Sequence, residues 1–278
     1  MGGNNWIIDN IVNALETWNT KLAELWSLIS TGPQEFRGGG IWNVMVGING
    51  ALQGIGLALL VIFFAAGIFK SATGFQDFRR PEMVLRHFIR FVAAKVAVTW
   101  GMDIMVSLYT IVAGIISKVA TSMGDISGAM ATLPGEIDTA IRDVGFLASI
   151  PLWLVTLLGS IIVTVLSFIL ILTVYSRFFK LYLYTALSPV PLSAFASDVT
   201  SSTGRAFVKS YLGVCMEGVI IVLACVIFSA FASAPPVASG SDAVTMVWGY
   251  LGELTFNMLV LVGLVKGADR IVKEMLDL

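Results

Sequence analysis

Three acids, Asp103, Glu217 and Glu253, fall inside long apolar runs of this 278-residue chain. An ionised carboxylate at the centre of a bilayer costs a few kcal/mol, so each must face a neighbouring helix, a cavity or another subunit. Three kinds of chemistry fit such groups: a structural hydrogen bond, a contact between copies, or a relay coupling proton or ion movement to transport. Asn49 and Gln53, one turn apart in another apolar run, also need partners in lipid. Catalysis finds little support. No nucleophile has a paired base, and neither an HExxH pattern nor a phosphate-cradling glycine loop is present, so no catalytic residues are expected. His87 is the one histidine, and without a Cys/His cluster neither a metal nor another cofactor is expected. Cys215 and Cys225, ten residues apart, point about 80° away from each other around a helix and are expected to be free.

The elements that must position these residues are membrane helices. Hydrophobic residues make up 57% and charged residues 13% of the chain, which leaves too little polar surface for a soluble domain. A hydrocarbon core of about 30 Å needs about 20 helical residues. Spans are predicted at 44–69, 91–117, 150–176, 211–231 and 243–265, giving an all-α polytopic membrane protein with about five transmembrane helices. Lys21, Arg37, Lys118 and Arg142 fall on one side of these spans, and the other thirteen of the 17 basic residues fall on the opposite side. Positive-inside bias then places the amino terminus outside and the carboxyl terminus in the cytoplasm. Arg79, Arg80, Arg86, Arg90, Arg205 and Lys209 belong to that cytoplasmic basic flank.

Residues 1–40 read as an extracytoplasmic amphipathic helix with a Gly-rich linker, and 41–278 as the transmembrane domain. Ile7, Ile8, Ile11, Leu15, Trp18, Leu22, Leu25, Trp26 and Ile29 share one helical face. Trp18, Leu22 and Trp26 are expected to anchor that face at headgroup depth, the alternative being that it packs on other helices of the same protein. Gly50 and Gly54 form a GxxxG pair that lets another backbone approach, the alternative being that this face lines a pore. Met83 to Arg90 suggests a short helix whose basic face attracts anionic lipid or receives a cytoplasmic partner. In the third span Thr156, Ser160 and Thr164 recur every fourth residue, a small hydroxylated side that suits close packing or, alternatively, a water path.

Before the fourth span, Pro189 and Pro191 each remove a backbone donor and stop a helix, although their flanks are apolar. Ser188, Pro189 and Pro191 therefore mark a broken helix. It either re-enters the membrane from the cytoplasmic side or lies on the surface as a loop.

Ala186-Leu187-Ser188-Pro189, followed by Arg205-Ala206-Phe207-Val208-Lys209-Ser210-Tyr211, resembles the core of the TrbL-type family. That family supplies the polytopic inner-membrane subunit of type IV secretion and conjugation machines. The resemblance covers about 150–265, and departs from the family at Ser188, where glycine is usual, and at Pro191. It implies a channel or scaffold subunit without enzymatic activity, present as a homo-oligomer in the bacterial cytoplasmic membrane. Its implied partners are the lipid bilayer, a cytoplasmic secretion ATPase and bitopic channel subunits, with transient contact to a DNA-relaxase or protein cargo. The alternative from the residues themselves is a small-solute or ion transporter that uses Asp103, Glu217 and Glu253 as its coupling path.

Overall fold

Long apolar stretches with few breakers leave the backbone one economical solution in lipid, which is to satisfy its hydrogen bonds within helices. The computed structural model describes residues 5–72, 81–122, 130–231 and 243–278. Among them every regular element is helical: α1 (Asn5–Ser30), α2 (Gly40–Ala72), α3 (Pro81–Thr99), α4 (Gly101–Ser122), α5 (Gly135–Arg142), α6 (Phe146–Leu187), α7 (Pro189–Leu192), α8 (Ser201–Phe231) and α9 (Ala243–Leu276), with 3-10 turns at Phe36–Gly39 and Ser193–Ala196. Five stretches of the described residues are long and apolar enough to cross a membrane: Phe36–Lys70, Gly101–Thr121, Ser149–Leu187, Ser201–Ser229 and Val244–Leu276. Arg79 and Arg80 lie outside the described residues.

The helix boundaries depart from the sequence expectation in an instructive way. The stretch expected to cross at 91–117 is divided by a turn at Trp100, and the crossing segment begins at Gly101. Residues up to Thr99 instead continue the amphipathic helix α3, which Pro81 opens with its fixed φ. Helices α6 and α9 outrun their expected ends at Ser176 and Val265, reaching Leu187 and Leu276. Hydropathy falls where Arg177, Lys180, Asp269 and Lys273 begin, yet the helices continue because these charges find partners inside the fold.

The described chain forms two units. The first comprises residues 1–30, 117–175 and 220–268. Here the apolar face of α1 is buried, with Trp18 and Leu22 each 1% exposed and Trp26 half-buried. This corrects the headgroup anchor: the tryptophan face is consumed by packing within the protein, because burying a large apolar face against helices excludes more water than an interface does. Asn19 fixes the helix by exchanging two 2.9 Å hydrogen bonds with the backbone of Ala131, and Glu24 accepts from Lys21 at 2.6 Å and from the Tyr175 hydroxyl at 3.0 Å. The hydroxyls of Thr156, Ser160, Thr164 and Ser167 donate to carbonyls of their own helix. Beside them Gly159 lies so close to Leu251 that a Cβ would sit 3.0 Å from its methyl, as close helix packing requires.

The second unit comprises residues 31–116, 176–219 and 269–278. Phe36 stacks on Phe178 at 4.3 Å, and the hydroxyls of Tyr182, Tyr109 and Tyr211 donate to the carbonyls of Pro33, Thr31 and Met105. Gly38 and Gly39 take φ of 71° and 76°, so the glycine run is a left-handed turn of defined shape. Helices α2 and α3 pack against each other and against the short segment formed by α7 and the Ser193–Ala196 turn.

Trp18→Ala is expected to cost about 3–5 kcal/mol of stability, whereas Trp248→Ala, at a residue 59% exposed, changes little. Thermal unfolding of the detergent-solubilised protein distinguishes the two. Equal losses would put Trp18 back at the surface.

Candidate functional site

A proline inside an apolar helix leaves one carbonyl without its donor, since residue i of a helix supplies the N–H for the carbonyl of i−4. Pro189 thereby denies the Thr185 carbonyl its regular donor, and the Ser188 N–H reaches it only at 3.4 Å. The Asn49 amide donates to the Thr185 carbonyl at 2.8 Å and to the Ser188 hydroxyl at 3.0 Å, and Ser188 donates to the same carbonyl at 2.9 Å. All three residues are buried. One turn along α2, Gln53 donates at 2.9 Å to the carbonyl of Thr99, the last residue of α3, at the turn around Trp100. The two amides singled out by their position in an apolar run therefore serve two helix breaks.

Glycines then bring backbones together around the break. A Cβ on Gly56 would lie 2.6 Å from the Pro189 carbonyl oxygen, one on Gly67 would lie 2.6 Å from the Ser197 hydroxyl, and one on Gly101 would lie 2.8 Å from a Leu192 methyl. Gly50 and Gly54, the expected close-approach pair, have open space at their Cβ positions in the single chain. The packing glycines of α2 are instead Gly56 and Gly67.

The segment from Ser188 to Ser197 is largely buried against α2 and α3 and does not lie on the protein surface as a loop. Ser193 and Thr200 donate to the carbonyls of Val190 and Ala194 at 2.6 and 2.7 Å, closing further orphaned acceptors. Ser188 has φ −52° and ψ −35°, ordinary helical values, so its backbone does not require glycine. Its hydroxyl does what glycine cannot. At the segment's end Asp198 pairs with Arg90, whose hydrogen bond holds the Asp198 carboxyl below the usual range.

A second constellation joins α6, α8 and the end of α9. Lys180 reaches Glu217 at 3.0 Å and Asp269 at 2.9 Å, and Lys273 meets the other Asp269 oxygen at 2.8 Å. Glu217 is buried while Lys180 and Asp269 open onto a cavity of about 360 Å³ also lined by Tyr184, Ser210 and Gly213. Arg177, fully buried, donates through Nε and Nη2 to the carbonyls of Val214 and Cys215, each at 3.2 Å. Gly218 leaves room for it, since a Cβ there would fall 2.6 Å from the guanidinium carbon. Arg177, Lys180, Asp269 and Lys273 were hidden from sequence reasoning because they follow the end of an apolar run. A repeat of charges on one face, Arg177 with Lys180 and Asp269 with Lys273, was the available signal.

The remaining acids do not join this network. Asp103 is exposed in the first turn of α4, Glu253 is exposed on α9, and neither makes an ion pair among the described residues. Arg86, Arg205 and Lys209 are exposed, and Arg90 is half-buried against Asp198. Cys215 and Cys225 are buried and free. Among the described residues no group of three or more His, Cys, Asp or Glu side chains could hold a metal.

The geometry gives two quantitative expectations. Gly56→Ala is expected to cost about 1–3 kcal/mol by pressing on backbone, while Gly54→Ala is neutral or slightly stabilising, as read from melting temperatures. Glu217→Gln and Lys180→Met are each expected to cost about 1–3 kcal/mol. Because they share one interaction, the double variant should lose less than the sum in a double-mutant cycle; strict additivity would show the pair to be energetically idle.

The family profile described as TrbL/VirB6 plasmid conjugal transfer like protein matches residues 18–189. The match takes in α2 to α4 and Ala186 to Pro189, and leaves Arg205 to Tyr211 outside it. No curated protein and no solved structure matches the chain.

Proposed function

The chain belongs to the TrbL/VirB6 family of plasmid conjugal transfer proteins, and from that membership we propose that it is a channel or scaffold subunit of a conjugative type IV secretion system. Its family and its five apolar helices make it a membrane subunit of a conjugal transfer system, and they point to an inner-membrane location. In the proposed reading it supports passage of DNA-relaxase or protein cargo across the cytoplasmic membrane and carries no chemistry of its own. A secretion ATPase would meet its cytoplasmic side and bitopic subunits would pack on its helices. The amino terminus would lie outside and the carboxyl terminus in the cytoplasm, following the basic residues.

The carrying observation is the family match across residues 18–189. Support for assembly comes from the acids that the single chain leaves uncovered. Asp103 and Glu253 lie on membrane-crossing helices yet are exposed, and a carboxylate does not rest against lipid. Gly50 and Gly54, open on α2, offer a surface on which a second backbone could close. Both features favour further copies or partner subunits around this chain.

Transfer of plasmid DNA from donor cells tests the reading. An in-frame deletion should abolish transfer without slowing growth, and the parental allele supplied in trans should restore it. The Asn49→Leu and Gly56→Leu alleles, which disturb the sealed break, should restore less than about a tenth of the parental frequency, a loss equivalent to about 1.4 kcal/mol or more in a limiting step. Parental transfer from the deletion strain would refute the proposal.

A further inference from the structure

Helix α3 turns Ala94 and Val98 inward and leaves Val84, Leu85, Phe88, Ile89, Val92 and Val96 about half exposed. It is not among the five crossing stretches. One stripe along it runs Arg86, Arg90, Ala93 and Ala97, at the spacing of a single helical face. The stripe begins with two guanidinium groups and continues with methyl groups. Between these small residues and Phe195 lies an open groove of about 400 Å³, lined by Arg86, Ile89, Arg90, Ala93, Ala94, Ala97 and Phe195. Phe195 is held as the opposite wall because Gly204 admits its ring, a Cβ there being 2.9 Å from the ring edge.

We propose that this groove binds one anionic diacyl phospholipid, with its phosphate at Arg86 and one acyl chain along Ala93 to Ala97. Two features select this occupant. From Arg86 to Ala97 the helix rises about 16 Å at about 1.5 Å per residue, close to half of a hydrocarbon core about 30 Å thick. The groove therefore has the length that separates a headgroup from the bilayer midplane. Its charge is also right for an anion. The two charged residues that line it, Arg86 and Arg90, are both cationic, and Arg90 is the one that pairs with Asp198, which leaves the Arg86 guanidinium for an anion. A guanidinium fork grips the phosphate that every phospholipid carries, and a headgroup with no cation of its own leaves that phosphate's charge for Arg86 to meet, which favours an anionic lipid. A lipid seated here would also cover Ile89 and brace the Ser193–Ala196 turn against α3, adding to the packing on which the helix break relies. This site does not depend on the channel reading.

Native mass spectrometry of the full chain in mild detergent, supplied with equal amounts of phosphatidylglycerol and phosphatidylcholine of matched acyl chains, tests the site. Phosphatidylglycerol should be retained in preference. Arg86→Gln should lower that retention about five-fold, the factor expected from one basic residue near an anionic surface. Arg270→Gln, an exposed residue paired with Glu274 on α9, should leave it unchanged. Ala97→Phe, which fills the groove, should remove it. Equal retention of the two lipids, or equal losses in the Arg86 and Arg270 variants, would overturn the site, and Arg86 is exposed enough that its variant remains informative even should Ala97→Phe not fold.

Discussion

The carbonyl of Thr185 is the point from which much of the second unit can be understood. Pro189 withdraws its donor, and in an apolar setting an unpaired carbonyl is costly because no water can replace the missing N–H. The remedy comes from the neighbouring Ser188 hydroxyl and from residue 49, far away in sequence, whose amide reaches that oxygen at 2.8 Å. Once Asn49 is fixed there, the register of α2 against the broken segment is fixed as well. Gly56 then faces Pro189 and Gly67 faces Ser197, each where a side chain would collide. Gln53 serves the turn at Trp100 from the same helix. A single helix thus seals two interruptions, and the glycines permit the approach that the amides require.

The charged residues follow the same rule in a different form. Arg177, with no exposed surface, sets Nε and Nη2 on backbone oxygens of α8 and its guanidinium over the Tyr109 ring in the space Gly218 leaves, while its Nη1 has no hydrogen-bond partner among the described residues. Glu217 is tolerated because Lys180 lies beside it, and Lys180 is in turn shared with Asp269. Such buried ion pairs add little net stability compared with apolar packing, but breaking one leaves a charge uncompensated. Their value is in fixing which faces of α6, α8 and α9 meet.

These arrangements also separate what one chain completes from what it leaves open. The broken helix and the Lys180 network are satisfied internally. Asp103, Glu253 and the Gly50–Gly54 face are not covered, although they lie on helices fitted to cross a membrane. This contrast is what the proposed reading of the chain as a subunit among neighbours rests on. The α3 groove adds lipid to that list of neighbours through a surface in which arginine and alanine succeed one another along a single stripe.

The sequence by itself determined the class of molecule. Apolar runs of bilayer length dictate membrane helices, Pro189 dictates a break, and Asn49 and Gln53 in an apolar run demand partners, because each of these is a local constraint of backbone chemistry. Sequence could not choose those partners. That Asn49 meets Thr185, that Gly56 and not Gly54 is the close-packed glycine, and that Trp18 is buried in the protein were decided by tertiary packing. The same holds for the charges just past the apolar runs. Hydropathy averages along the chain and ends a span where a lysine appears, whereas a helix ends only where its backbone can no longer be satisfied. Lys180 and Asp269 continue their helices because each supplies the other's counter-charge across a distance that no window of sequence contains.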